Sequence, residues 1–224
     1  MDINIISPPD RSLSVAEKLS DEDGAFLVRL ARNAITSRMR GESFRIVTAP
    51  DSLRVLRRGV FVTLNTYPEL ELRGCIGFPY PVKNFLDQVV DAAISAAFGD
   101  PRFMPLEEDE LSRVVVEVSV LSLPEEIKTK DRRLLPSMIE IGRDGLIIES
   151  NLGAGLLLPQ VPVEYGWDAE EFLTNLCFKA GLPPTYWLTG QAVIKRFTAE
   201  IFAEKEPNGE VVRVDIKSIR RKPC

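Results

Sequence analysis

A chain of 224 residues, 45% hydrophobic and 27% charged, has the mixture of a globular protein. At this length folding buries roughly 70% of the unfolded surface, so a core forms without disulfide staples. Twenty-eight Lys and Arg against 33 Asp and Glu leave a net charge of −5, which disfavours nucleic acid as the main partner. Histidine is absent, which excludes Ser-His-Asp and Cys-His pairs, His-ligated metals and imidazole proton shuttles.

Residues 1–19, with Pro8-Pro9 and no sustained period, read as a loosely docked lead-in. They lack the basic and apolar regions of a signal peptide, and no apolar run approaches the ~18 residues of a membrane helix, so a cytoplasmic protein without membrane contact is expected. Ser20 with Asp23 is a capping-box-like start, and Phe26, Leu27, Leu30, Ala31, Ala34 and Ile35 carry a helix to about Met39, where Gly41 ends it. Val60 to Asn65 is a strand, Tyr67-Pro68-Glu69 breaks it, and Leu70 to Ile76 is its returning partner. Alternation puts Leu72, Gly74 and Ile76 on one face of that partner and Arg73, Cys75 and Gly77 on the other.

Phe85 to Ala97 has helical spacing, and Gly99 suits a left-handed closing position. Two prolines make residues 100–106 irregular, and Arg113 to Leu123 is a strand. Met138–Ile141 and Leu146–Glu149 flank Gly142-Arg143-Asp144-Gly145 as an expected hairpin. Asp168 with Glu171 starts a helix closed by Gly181-Leu182-Pro183. Val193 to Ala203 is a last long strand, turned by Pro207-Asn208-Gly209. Helices and antiparallel hairpins without regular alternation indicate an α+β fold: one domain over residues 20–215, with a larger and a smaller lobe around a cleft, then a basic tail over 216–224.

The stretch Leu72-Arg73-Gly74-Cys75-Ile76-Gly77 is where chemistry is expected. Glycine weakens a strand interior, so Gly74 and Gly77 imply that something approaches the backbone closely. A thiol with the ordinary value near 8.5 is only about 3% thiolate at pH 7; Arg73, on the same side as Cys75, would raise that fraction. The competing reading makes Cys75 a small buried hydrophobe. Asp100 and Arg102 flank Pro101, either anchoring a polar ligand, with Arg102 forking onto an anion, or pairing with each other. Glu117 interrupts a run of valines with Ser119 on its face; it lies on a solvent face or is a buried acid with a raised pKa, and without histidine it is a conceivable base for Cys75. Cys177 reads as structural and Cys224 as merely terminal, while Tyr165, Trp167, Tyr186 and Trp187 read as core packing. An odd cysteine count without C-x-x-C spacing offers no metal set.

Leu72 to Gly77, read L-R-G-C-I-G, resembles the signature of the AMMECR family. Asp100-Pro101-Arg102-Phe103 with Pro105-Leu106, then Gly155 to Val161, then Glu171-Phe172-Leu173 through Lys179-Ala180-Gly181-Leu182, are similar to its later landmarks, in order over roughly residues 20–205. The resemblance implies a compact α+β protein with two lobes and a cleft near the cysteine motif; it implies no particular reaction or cofactor. Some relatives are fused to Memo-like and radical S-adenosylmethionine domains, so it also implies work beside an enzyme that here would be a separate partner. The residues then support a cleft around Arg73 and Cys75 that binds a small molecule or modified side chain, with thiol chemistry. The rival readings are a non-catalytic adaptor that docks a partner on the glycine-flanked strand and, more weakly, RNA recognition.

Overall fold

The computed structural model describes residues 18–219; residues 1–17, 220–224 and with them Cys224 lie outside the described residues. Helix α1 (Asp21–Met39) starts as expected, with the Ser20 hydroxyl accepting from the Asp23 N–H at 3.0 Å and three acids in the positive first turn; Gly41 closes it at φ +70°. A short α2 (Asp51–Arg54) leads to the hairpin β1 (Gly59–Thr66) and β2 (Leu72–Phe78). Asn84 caps α3 (Phe85–Phe98). Strand β3 (Val114–Leu121) passes into β4 (Glu125–Glu126), then come β5 (Gly145–Glu149), β6 (Ala154–Leu157), α4 (Gln160–Tyr165) and α5 (Ala169–Lys179), the last with the expected Asp168/Glu171 capping box. Strands β7 (Val193–Phe197), β8 (Ala199–Glu204) and β9 (Val211–Arg213) complete the two sheets.

The strands form two antiparallel sheets, ordered β2-β1-β3-β8-β9 and β4-β7-β5-β6, so the α+β expectation holds. Valines and leucines of β1 and β3 alternate inward against α1 and α3, while Leu146, Ile148 and Ile194 pack on Phe172 and Leu176 of α5. A third cluster, Leu121, Ile147, Leu158 and Phe197 with Phe61 and Leu156 against it, joins the two sheets by their other faces. No helix among the described residues is long and apolar enough to cross a membrane.

Three expectations change. Residues 138–141 are not a strand: Arg132–Met138 is a 3-10 helix, and the Asp144 carboxylate accepts from the Glu140 N–H at 2.9 Å, folding 140–144 into a tight turn, so β5 pairs with β6 and β7 instead. The long strand 193–203 divides at Thr198 because its halves serve different sheets. Thr198 exchanges two bonds with Ser122, the Ser122 N–H to its carbonyl and its own N–H to the Ser122 hydroxyl, both 2.9 Å. Gly99 has φ −130° rather than a left-handed conformation, since the next residue, Asp100, reaches directly back to β2.

The first core contains one buried ion pair. Arg32 forks onto Glu204, and both groups are satisfied further: Arg32 donates to the carbonyls of Val114 and Leu111, and Glu204 accepts from the Val116 N–H at 3.0 Å. The pair ties α1 to the ends of β3 and β8. Replacing Arg32 with Met leaves a buried carboxylate unpaired and should cost about 3–5 kcal/mol in chemical denaturation; the double replacement Arg32→Met, Glu204→Met should recover most of that loss.

Candidate functional site

Strand β2 is the edge of the five-stranded sheet, and its glycines are required by the protein's own packing. A Cβ at Gly74 would lie 2.2 Å from the Ala96 carbonyl oxygen of α3, and one at Gly77 would lie 2.4 Å from the Phe61 ring. The close approach expected at both positions is therefore made by α3 and by Phe61, not by a ligand. It presses β2 onto α3 from one side and brings the residues after α3 within reach of Cys75.

Asp100 exploits that reach. Its buried carboxylate accepts from the outward-facing Cys75 N–H at 2.8 Å, from the Arg102 N–H at 3.1 Å and from the Arg102 guanidinium at 2.9 and 2.6 Å; Arg102 donates in turn to the Cys75 carbonyl at 3.2 Å. The Arg102 hydrogen bonds, together with the two backbone N–H groups, hold the Asp100 carboxyl well below the usual carboxylate range despite burial. Of the two expectations for this pair, mutual pairing is the one found, and the fork meant for an anion is spent on Asp100. Arg73 is likewise engaged elsewhere. It forks onto Glu110 at 2.8 Å twice and donates to the Met104 carbonyl at 3.0 Å, and Phe103 sits between the two guanidinium groups at 5.8 Å (Arg73) and 5.5 Å (Arg102) from its ring centre.

The Cys75 sulfur is half-buried and accepts from the Thr63 hydroxyl at 3.3 Å. Burial pushes its thiol up; the Thr63 bond and the Arg102 charge offset only part of this, and Glu117 raises it further. The expectation that Arg73 lowers the pKa is thus overturned, because that guanidinium is committed to Glu110. Cys177 is fully buried in the second core, as expected of a structural thiol. Tyr186 and Trp187 also lie there, whereas Tyr165, at the end of α4, is 53% exposed and stacks on Trp167 at 4.9 Å.

Register completes the arrangement. Thr63 is paired with Cys75 on one side and Glu117 on the other, so the three side chains form a row across one face, with Cys75 and Glu117 about 10 Å apart at their Cα atoms. Helix α4 lies over the far end of the row, where the Gln160 amide donates to Glu117 at 3.3 Å. Glu117 is therefore not a solvent-face residue: burial, then the neighbouring Glu164 carboxylate, push it up to about 7. Thr63 and Gln160 were not among the expected site residues. Thr63 is within reach of a hairpin register centred on Glu69; Gln160 lies within the Gly155–Val161 landmark, but nothing in its local pattern places it against Glu117.

A second polar group bridges the sheets. The Tyr80 hydroxyl donates to Glu149 at 2.8 Å, and Lys195 donates to both Tyr80 (2.9 Å) and Glu149 (2.7 Å). Two concavities, about 620 Å³ between α1 and Phe44–Thr48 and about 300 Å³ beside Trp187, include none of these residues. No group of three or more His, Cys, Asp or Glu side chains among the described residues has a metal-holding arrangement.

The AMMECR1 family model matches residues 28–202. The chain is 52% identical to protein MJ0810 of Methanocaldococcus jannaschii, over 87% of this chain and 96% of that one, and 48% identical to protein MK0488 of Methanopyrus kandleri, over 90% and 98%. The fold matches the crystal structure of uncharacterized protein PH0010 from Pyrococcus horikoshii with a TM-score of 0.84 and 48% identity, covering 88% of this chain and 98% of that one.

Two stability predictions follow from the charges. Asp100→Asn should cost about 2–3 kcal/mol at pH 7, a fall of roughly 5–10 °C in Tm. Because the folded pKa of Asp100 is depressed, the wild-type advantage should be complete above the ordinary value of 3.8 and should vanish as pH falls through the folded value. Glu117 has the opposite sign. Its raised pKa makes the folded state progressively less stable as pH rises from the ordinary 4.5 to about 7, so Glu117→Gln should be near neutral at pH 4.5 and stabilising by about 1–3 kcal/mol at pH 8 in urea titrations.

Proposed function

This chain belongs to the AMMECR1 family, and from that premise we propose that its functional site is the row Cys75–Thr63–Glu117, where a small molecule or a modified side chain binds between the faces of the two sheets and meets the Cys75 thiol. The observation that carries this reading is the row itself. A thiol and a carboxylic acid 42 residues apart in sequence flank one hydroxyl on the same sheet face, and that hydroxyl already donates to the sulfur. Cys75 is the nucleophile of this reading, resting as the neutral thiol. Glu117, titrating near neutrality, is the group that takes and returns protons. Asp100 and Arg102 are positioning residues: they hold the Cys75 backbone and need not touch the ligand. Arg73, Gly74 and Gly77 hold the strand in the same sense.

The adaptor reading, in which a partner strand adds to β2, is opposed at this position by a specific fact. Both outward backbone groups of Cys75 are already bonded, to Asp100 and to Arg102, so a docking strand would have to displace a charged pair.

Iodoacetamide labelling of Cys75, followed peptide by peptide between pH 6 and 10, tests the proposal without any ligand. Wild-type Cys75 should label more slowly at pH 8 than N-acetylcysteine. Glu117→Gln removes a charge that raises the thiol pKa and should speed labelling at pH 8, about threefold for each half-unit shift, with no effect at pH 5.5 where Glu117 is already neutral. Thr63→Val should slow it. Three superimposable pH profiles would sink the reading.

A further inference from the structure

The larger concavity, about 620 Å³, includes no residue of the Cys75 row and lies between α1 and residues 44–48. Its wall on α1 runs from Glu22 through Phe26 and Leu30 to Asn33, a single face of the helix. At 1.5 Å per residue that face is about 16 Å long. The opposite wall, Phe44-Arg45-Ile46-Val47-Thr48, belongs to no helix or strand. Its burial nonetheless alternates as a strand's does: Phe44 and Ile46 are half-buried against the first core, while Arg45 and Val47 are exposed, Val47 by 85%. Among the described residues no backbone N–H or carbonyl of residues 44–48 has a hydrogen-bond partner. Unpaired backbone of strand-like pattern beside an apolar channel is where an extended segment adds as a strand. Main-chain bonds hold it, and every second side chain enters the channel.

Charge narrows the choice of occupant. Arg29 and Arg45 line the two walls, and neither has an ion pair among the described residues; Glu22 is the only acid of the lining. An extended segment with apolar residues at alternate positions and an acid beside them fits. Residues 44–48 of a second copy fit badly. Their Phe44 and Ile46 already face their own core, and each copy would bring its own Arg29 and Arg45 to the contact.

The chain contains a segment of the required kind. Asp2-Ile3-Asn4-Ile5-Ile6, outside the described residues, alternates a polar residue with isoleucine over its first four positions. Five residues paired as a strand span about 17 Å, the length of the α1 wall. Residues 7–17 join this segment to Lys18 and reach up to about 36 Å when extended. The far end of the groove, Asn33, is 15 residues beyond Lys18, about 22 Å along the helix, so the tether is long enough for either strand direction.

We propose that residues 2–6 of this chain add as a strand to residues 44–48 and fill the groove beside α1. Pairing of this kind puts Ile3 and Ile5 on the face of Phe44 and Ile46, towards Phe26 and Leu30, and Asp2 on the face of Arg45. The contact ties the start of the chain to the helix that carries Arg32. It involves neither Cys75 nor Glu117, so it stands or falls apart from the thiol reading.

Hydrogen exchange on the full chain, read by mass spectrometry, tests it. In the wild type the amides of residues 44–48 should exchange at least about tenfold more slowly than unpaired chain, as expected of a strand held at millimolar effective concentration. Ile3→Ser with Ile5→Ser should bring them to the unpaired rate while the amides of β1 and β3 stay slow. Arg45→Glu should reduce the protection severalfold, and Asp2→Lys combined with Arg45→Glu should recover it. Equally fast exchange at residues 44–48 in the wild type and the double serine variant would overturn the proposal, as would protection that survives both sets of substitutions. Protection that rises with protein concentration, alongside a dimer in sedimentation, would assign the groove to a second copy and overturn it too.

Discussion

The carboxylate of Asp100 is the constraint on which the rest of the arrangement depends. Strand β2 is an edge strand weakened by two glycines, each of which costs roughly 0.5–1 kcal/mol relative to alanine, and one of its faces is pressed against the backbone of α3. The approach that forces Gly74 to lack a side chain is the approach that delivers Asp100, two residues past the end of α3, to the free N–H of Cys75. One buried anion then does three things. It satisfies an edge-strand donor, it orients Arg102 onto the Cys75 carbonyl, and it fixes the strand so that the sulfur points at Thr63. Arg73 and Glu110 repeat the device two residues earlier, so the irregular segment after α3 is strapped along the sheet edge at two points.

The polar row survives because of where the second sheet sits. The apolar contacts that join the sheets, around Leu121, Ile147 and Phe197, lie beside the crossing at Ser122 and Thr198, and further along the same face Cys75 and Glu117 are partly buried beside the buried Thr63 and Ser119. Desolvation is strong enough there to push both the thiol and Glu117 up, towards their neutral forms. The reactivity of a thiol in this setting is governed by its neighbours, the neutralisation of Glu117 and the Thr63 hydrogen bond favouring the thiolate, and not by a fixed cation.

Much of the fold was legible because its signals are local. Capping residues Ser20 and Asp168, the apolar periods of α1, α3 and α5, and the turns at Gly41, Gly181 and Asn208 all act within a few residues, and each does in the structure what its chemistry requires. What failed were signals whose meaning is set by distant parts of the chain. Gly142 to Gly145 has hairpin composition, but the Asp144 carboxylate folds the turn on itself and β5 finds its partners elsewhere. Val193 to Ala203 is strand-like throughout, and only the presence of two sheets divides it. At the site, strict alternation groups Arg73 with Cys75, but the β1–β2 register shifts at Arg73, between the pairs Leu64–Gly74 and Asn65–Leu72, and its guanidinium goes to Glu110, 37 residues away. Gly74 and Gly77 were rightly singled out as points of close approach; what approaches is α3 and Phe61. Glu117 was a choice between solvent and burial that only Gln160, on a helix too short to leave a period in the sequence, decides.

A chain without histidine has no side chain whose ordinary pKa lies near neutrality, so any proton exchange at that pH must come from a group displaced by its surroundings. Burial, then Glu164, push Glu117 from the ordinary 4.5 up to about 7, which above neutral pH is a cost of about 3 kcal/mol to the folded state. Against a total stability of about 5–15 kcal/mol that is a large fraction, and a glutamine or a valine in its place would remove it, since the flanking residues of β3 are valines already. Structural necessity does not account for the acid: the bond it makes to Gln160 is long at 3.3 Å and leaves the amide carbonyl unpaired. The residue that a purely packed sheet would replace first is the one that gives this face a titration near pH 7, and it stands across one hydroxyl from the half-buried thiol. That coincidence, more than the reactivity of the sulfur by itself, sets the row apart from the packed remainder of the sheet and is the ground of the site proposed above.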